Sequence, residues 1–479
     1  LYDGGNCCSG GSSTSKWAAN SCAPLLEAYL PHMGPLSHGK RPFRQCLTSL
    51  VPTPVLDPWP APKAVAPLQA TVRLPGSKSV TNRALVLGAL AMGTSVIRRP
   101  LRSRDTELMA AALRSLGVDV TDSAEGDWVV VGTGGPQAVR TREIDVGNAG
   151  TCARFLPPVA ALCVGEVRLD GDPRVRERPL APLLVALRTL GADLDRVDAL
   201  PILVRGTGAV RGGELALDAS QSSQLVSGLL LSAPRFERGV VLRHEGGPLP
   251  SAPHLAMTVG ALRSAGAQVD DSVPGQWAVA PGPLLARDAV VEPDLSTAAA
   301  YLAAPLVAGG SVTVEGWPRD TAQPGAVLPE LLAAMGASVS RADDSVTVSA
   351  GTGLHGLEAD LRDAPELTTV LTALAALADS PSRFTGVAHI RLQETDRIAA
   401  LAKELNALGG DVEELPDGLV VRPRRLTGGV MASYDDHRIA MAWAVLGLGV
   451  DGVEVRDVAT TRKTVPDFAG SWSRMLLAG

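Results

Sequence analysis

Five stretches of this sequence share one local design: AALRSLGVDV, VALRTLGADL, GALRSAGAQV, ELLAAMGASV and KELNALGGDV. Each reads as the end of an amphipathic helix, a glycine that closes it in the left-handed conformation, and the first residues of a strand. The glycines are Gly117, Gly191, Gly266, Gly336 and Gly409, so the separations are 74, 75, 70 and 73 residues. A period this long holds several strands and two helices, and space remains for a sixth copy near the C-terminus. The expected fold is therefore α/β, six repeated units in two domains of three. Short alternating runs such as SVTVEG at 311–316 and WVVVG at 128–132 flank the helix ends and predict mixed parallel and antiparallel pairing. The link between halves is expected near VVEPDLSTAAAYLAAP, where an acidic, Pro-containing turn precedes a long helix.

Composition narrows the function classes. The 479 residues, 46% of them hydrophobic, can bury more than one core. A formal net charge of -6 argues against a nucleic-acid partner held by a broad basic surface. No apolar run approaches the roughly 18 to 20 residues of a membrane span, so a soluble, cytoplasmic protein is expected. Of the six cysteines, Cys7, Cys8, Cys22 and Cys46 crowd the first fifty residues, while Cys152 and Cys163 lie in an apolar segment. Their spacing fits neither a disulfide framework nor a metal site. Residues 1–56 are Gly/Ser/Cys-rich without sustained periodicity, and are expected to be a disordered or artefactual extension outside the fold.

The stretch LPGSKSVTNRAL at 74–85 places a lysine between two serines at the start of an apolar run. It is not a nucleotide P-loop, because Ser77 precedes Lys78 and Val72 stands where the earlier glycine is required. A helix-start anion site remains. Lysine is scarce in this arginine-rich chain, limited to Lys16, Lys40, Lys63, Lys78, Lys403 and Lys463. Lys78 and Lys463 lie in motif-like surroundings, where a compact, rotatable ammonium does what arginine cannot. The same cationic, Gly- or Ser-marked character returns in DVGNAGTCARF at 145–155, DGDPRVRERP at 170–179 and SQSSQ at 220–224, then in QETDR, DDHR and TTRKTVPD. Asn148 to Thr151 read as a strand-to-helix turn with free N–H groups. Arg174, Arg176 and Arg178, read alone, are solvated charge with local ion pairs.

Taken in order, LPGSKSVTNR, GNAGT, DPRVRERP, SSQ, ETDR, DHR and KTVPD resemble the 5-enolpyruvylshikimate-3-phosphate synthase family over residues 57–479. The resemblance implies a two-domain inside-out α/β barrel of six βαβαββ-type units, with residues 74–293 in one domain and 57–73 plus 294–479 in the other. It implies an enolpyruvyl transferase joining phosphoenolpyruvate to the 5-hydroxyl of shikimate 3-phosphate in the cleft between them, acting as a monomer without metal or organic cofactor. Each substrate carries a phosphate and a carboxylate, which accounts chemically for the cations. Two other readings compete with it. The sister UDP-N-acetylglucosamine enolpyruvyl transferase usually shows a cysteine before the RP segment, where this chain has LDGDPRVRERP. An inactive anion-binding homologue would have no need of both carboxylates.

By resemblance, shikimate 3-phosphate is bound by Lys78, Ser79, Arg83, Ser222, Ser223, Gln224, Ser251, Glu366 and Gln393. Phosphoenolpyruvate is bound by Lys78, Gly150, Arg174, Gln224, Arg397, Arg438 and Lys463. The catalytic set is Lys78, Glu366 and Glu394. Glu366 stands where the family has an aspartate base, with Asp363 competing for that role. Glu394 matches the family's acid, with Lys78 as rival donor. Departures from the commoner pattern are Gln393 for a lysine, His389 for an asparagine, His254 for a tyrosine and Glu366 itself.

Overall fold

The computed structural model of the chain describes residues 57–134, 138–139 and 142–478. The extension expected at 1–56 lies outside the described residues. All five helix-end glycines take positive φ, from 86° at Gly266 to 105° at Gly191. The residue after each glycine donates its N–H to a leucine carbonyl in the last turn: Val118 to Leu113, Ala192 to Leu187, Ala267 to Leu262, Ala337 to Leu332 and Gly410 to Leu405. That repeated cap ends the helices Arg104–Ser115, Ala181–Thr189, Ala252–Ser264, Leu328–Ala334 and Arg397–Ala407. A β-carbon would disfavour the left-handed turn, so the period is written in glycine.

Among the described residues the strands form five four-stranded sheets and one three-stranded sheet. Every four-stranded sheet has one parallel pair followed by two antiparallel pairs. In one, Arg142–Asp145 runs parallel to Val164–Asp170, which pairs antiparallel with Ile202–Thr207, and that strand pairs antiparallel with Asp193–Leu194. Two sheets are completed by strands distant in sequence. Ala289–Val290 lies parallel to Met92–Arg98, and Leu68–Arg73 lies parallel to Gly310–Glu315. In the three-stranded sheet, Gly429–Ala432 is parallel to Val453–Arg456, and Trp59–Pro60 pairs antiparallel.

The remaining helix of each unit is mostly apolar beyond its first turns and largely buried. Gly150–Ala161 is buried at every position and Thr368–Leu377 at every position but its last. Lys78–Leu90, Gly150–Ala161 and Gln224–Ser232 pack on one another in one place; Ala298–Ala308, Thr368–Leu377 and His437–Gly449 do so in another. Sheets and amphipathic helices lie outside these helices, which is the inside-out arrangement. One apolar core runs from Leu85 to Val291, and the other joins Trp59, Leu68 and Ala70 to residues from Leu295 to Leu476. The chain crosses between the cores at two paired segments. Ser77 N–H donates to Glu292 O at 2.7 Å, and Asp294 N–H donates to Pro75 O at 3.0 Å. Gly76 bridges Pro293 between them, where a β-carbon on Gly76 would meet Arg99 O at 2.4 Å.

Candidate active site

The buried helices bring their first turns to the site. The helices beginning at Lys78, Gly150 and Gln224 have no acidic residue in the first turn and no side-chain cap. Their positive dipole ends favour an anion, although the first N–H of two of them already has an acceptor at 3.3 Å, Asp294 Oδ2 for Lys78 and Ser222 Oγ for Gln224. Asn82 Nδ2 donates to Thr151 Oγ1 at 2.6 Å, fastening the first of these helices to the second. At Gly150 a β-carbon would lie 2.6 Å from Arg178 Nη2 and 3.1 Å from both Arg154 Nη1 and Gln224 Oε1. Any side chain there would have to displace the Arg178 guanidinium.

Charged groups converge on this point from both cores. Lys78 Nζ lies 3.2 Å from Asp105 Oδ2. Lys463 Nζ lies 2.9 Å from Glu394 Oε1 and 3.5 Å from Asn148 O. Arg397, almost wholly buried, reaches Glu394 Oε2 at 3.0 Å and Asp436 Oδ2 at 2.8 Å. Asp436 also accepts from Arg438 N at 2.9 Å, capping the His437–Gly449 helix. The Arg438 guanidinium makes no hydrogen bond or ion pair among the described residues. A cavity of about 320 Å³, lined by Asp105, Asn148 and Lys463 with Arg104 and Arg462, opens beside the cluster.

Sequence reasoning missed Arg154 and Arg178 as site residues. Both are buried and neither forms an ion pair among the described residues. Arg154 donates to Gly150 O and Pro179 O, and Arg178 to Asn148 O at 3.0 Å. The Nε of each, and Gln224 Oε1, are buried with no partner among the described residues. Burial holds both guanidiniums below the usual arginine value, and for Arg154 the nearby Arg178 adds to it. Such cations are costly without an anion to answer them. Asp105 and Asp436 were also missed as members of the cluster.

Glu394 shows how strongly the cluster is cationic. Burial favours its protonated form, yet Lys463, Arg397, Arg178 and Lys78 outweigh it and hold the carboxyl well below the usual range. Lys463 is raised despite burial, because Glu394 and Asp105 stabilise its charge. Arg83 has no ion pair among the described residues. It bonds Thr258 Oγ1 at 2.8 Å and the carbonyls of Ser79 and His254 at 2.9 Å, and burial pushes it down to about 10.

The other predicted residues are placed as follows. Ser223 precedes the Gln224–Ser232 helix, with Ser222 Oγ accepting from Gln224 N at 3.3 Å. Ser251, at φ 55°, precedes the Ala252–Ser264 helix and donates its N–H to Arg362 O at 2.9 Å. Arg174 lies at the rim: it pairs with Glu177 at 2.7 Å and donates to Arg391 O and Gln393 O at 3.2 and 3.3 Å. Glu366 is largely buried, 3.4 Å from His254 Nε2. Burial raises its carboxyl, but His254, Arg438 and Arg397 prevail and hold it below the usual value. Asp363, by contrast, is exposed and accepts from Ala252 N at 3.3 Å. His389 is pushed down to about 4, chiefly by burial. Both ring nitrogens of buried His437 lack hydrogen-bond partners among the described residues. Cys152 is fully buried, its Sγ 3.4 Å from Asp105 O and its thiol raised well above the usual value by burial. It is no nucleophile.

Comparison with known proteins bears on these features. Two solved structures of EPSP synthase from Acinetobacter baumannii superpose with TM-scores of 0.72 and 0.71 at 24% and 23% identity, covering 87% of this chain and 97% of theirs. The enolpyruvyl transferase NikO from Streptomyces tendae gives 0.68 at 19% identity, covering 86% of this chain and 96% of that one. At such identities the likeness is one of fold. The sequence model described as EPSP synthase (3-phosphoshikimate 1-carboxyvinyltransferase) matches residues 62–472, and on that match this chain belongs to the EPSP synthase family.

Proposed function

We propose that this cleft transfers the enolpyruvyl group of phosphoenolpyruvate to the 5-hydroxyl of shikimate 3-phosphate and releases phosphate. The observation carrying this reading is the imbalance of buried charge. Among the described residues, the seven cations Lys78, Arg83, Arg154, Arg178, Arg397, Arg438 and Lys463 outnumber the five carboxylates set among them, Asp105, Asp294, Glu366, Glu394 and Asp436. Two substrates with a phosphate and a carboxylate each supply the missing anions.

In this reading Lys78, Gly150, Gln224, Arg397, Arg438 and Lys463 hold phosphoenolpyruvate, joined by Arg154 and Arg178, with Arg174 closing from the rim. Lys78, Ser79, Arg83, Ser222, Ser223, Gln224, Ser251, Glu366 and Gln393 hold shikimate 3-phosphate. Glu366 takes the 5-hydroxyl proton as that oxygen bonds to C2 of phosphoenolpyruvate. The double-bond electrons pass to C3, which takes a proton from Glu394, giving the tetrahedral intermediate. Glu394 is ionised in the free protein and must first gain a proton. The incoming phosphate and carboxylate engage the same cations that hold it ionised, which raises its affinity for one. In the second step the methyl group returns its proton to Glu394 and the carbon–oxygen bond to phosphate breaks. The proton on Glu366 leaves with the phosphate.

The domains are taken as 74–293 and 57–73 with 294–479, the cleft lying between them. We take the enzyme as a monomer. Both substrates are phosphate esters, retained in the cytoplasm where we place the enzyme. The test is phosphate release from phosphoenolpyruvate with either acceptor: release with shikimate 3-phosphate and none with UDP-N-acetylglucosamine is expected. The reverse result overturns the reading.

A further inference from the structure

Two segments far apart in sequence run side by side at the mouth of the site. Ser251 N–H donates to Arg362 O at 2.9 Å, Ala252 N–H to Asp363 Oδ1 at 3.3 Å, and His254 Nε2 stands 3.4 Å from Glu366 Oε1. The first partner in each pair belongs to the Leu85–Val291 core region and the second to the other. Ser251 takes φ 55°, a conformation uncommon for a residue with a β-carbon, and thereby turns successive N–H groups toward the facing segment. This seam crosses the cleft.

Glu366 presents two unlike oxygens. Oε1 faces His254, whereas Oε2 is buried with no partner among the described residues. His254 is itself fixed: its N–H donates to Ser251 O, and its carbonyl accepts from Arg83 Nη2 at 2.9 Å and Thr258 Oγ1 at 3.0 Å. The charges around the pair are Arg83 and Asp294 beside His254, Arg438 beside both, and Arg397 beside Glu366. The second imidazole, His389, also senses Glu366.

We propose that His254 is the positioning residue of the base, holding Glu366 Oε1 so that Oε2 meets the 5-hydroxyl, and doing so only while the seam is closed. The proton passes from that hydroxyl to Oε2 and stays there until phosphate departs; His254 neither gains nor loses one. An imidazole Nε2–H suffices as the donor, and the 3.4 Å approach tightens when substrate compresses the seam. The length of the pair matters. A shorter carboxylate arm would leave the imidazole out of reach, and a longer ring in place of the imidazole would push Glu366 aside.

This inference rests on the proposed enolpyruvyl transfer, and its test starts from wild-type phosphate release with shikimate 3-phosphate. No release in the wild type would defeat that function, whereas the following outcomes bear on His254 alone. His254→Tyr and Glu366→Asp are each expected to lower kcat by about thirty- to a hundredfold, as for a reacting group displaced by an ångström. The double variant, which pairs the longer ring with the shorter acid, is expected to recover to within about tenfold of wild type. In His254→Leu the acid limb of kcat/KM should move to higher pH, since Glu366 loses a neighbour that favours its ionised form. Melting temperature and shikimate 3-phosphate affinity, measured on all variants, should stay near wild type. Additive losses in the double variant, or a raised KM with an unmoved acid limb in His254→Leu, would make His254 a packing or phosphate-binding residue and overturn the proposal.

Discussion

Gly150 faces Arg178 so closely that a β-carbon on the first would stand 2.6 Å from Nη2 of the second. Gly150→Ala keeps the helix but must displace this guanidinium, which has no carboxylate to hold it elsewhere. The KM for phosphoenolpyruvate should rise about tenfold or more, the loss of one charge-assisted contact. Affinity for shikimate 3-phosphate should be unchanged. Steady-state kinetics beside a shikimate 3-phosphate titration decide it, and equal losses for both substrates would remove Arg178 from the phosphoenolpyruvate site.

Lys78 has two separable duties. Lys78→Met should lower kcat/KM by about two to three powers of ten, as when a fixed electrostatic donor is lost. It also strands buried Asp105, whose partner it is at 3.2 Å, at a cost on the order of 3 kcal/mol. Adding Asp105→Asn should restore the melting temperature and leave activity low. Recovery of both together would assign Lys78 a structural duty only.

Glu366 and Asp363 lie three residues apart in very different surroundings, one largely buried beside His254 and the other exposed on the N–H of Ala252. Glu366→Gln should cut turnover by about a hundredfold or more while still binding shikimate 3-phosphate, because an amide keeps shape but takes no proton. Asp363→Asn should remain within about tenfold of wild type, since it loses only a helix-start contact. Turnover of the two variants side by side is the measurement, and the opposite ranking would shift the base by three residues.

Stability should respond to pH through His389. Its folded value is about 4 against an ordinary 6.5, because burial penalises its charged form. Between those values the unfolded chain binds a proton that the folded chain does not, so stability falls as pH drops from 6.5 toward 4. His389→Asn removes that contribution, and its melting temperature should fall less across the window. Parallel slopes for variant and wild type would show that His389 titrates normally.

How much of this was legible in sequence depended on whether the cause was local. The five closing glycines could be read because a left-handed turn demands glycine whatever surrounds it, and the family's ordered motifs marked Lys78, Gly150 and Lys463. The DPRVRERP segment shows where local reading stops. Arg174 and Arg176 do make the expected local pairs, with Glu177 and Asp170. Arg178 follows the short Pro173–Glu177 helix, and the turn there carries it inward to Asn148. Nothing in the alternation of charge distinguishes it, because the neighbour it meets, Asn148, stands 30 residues earlier in the chain, at the start of the unit's buried helix. His254 and Glu366 are likewise ordinary residues until the fold sets them face to face.

The paired crossings at Pro75–Ser77 and Glu292–Asp294 have a mechanical consequence. Two strips of backbone bonded edge to edge bend readily about the line between them but resist shear and twist, so in the proposed two-domain reading the cleft would open by rotation about that line. Lys78 follows the ribbon directly, and its own N–H lies 3.3 Å from Asp294 Oδ2. On that rotation it would stay nearly stationary, a fixed post. Arg174 donates to the carbonyls of Arg391 and Gln393 in the other core region, contacts that such a rotation would break. In the proposed reading an arriving anion would thus meet Lys78 whether the cleft is open or shut, and Arg174 only once it has shut.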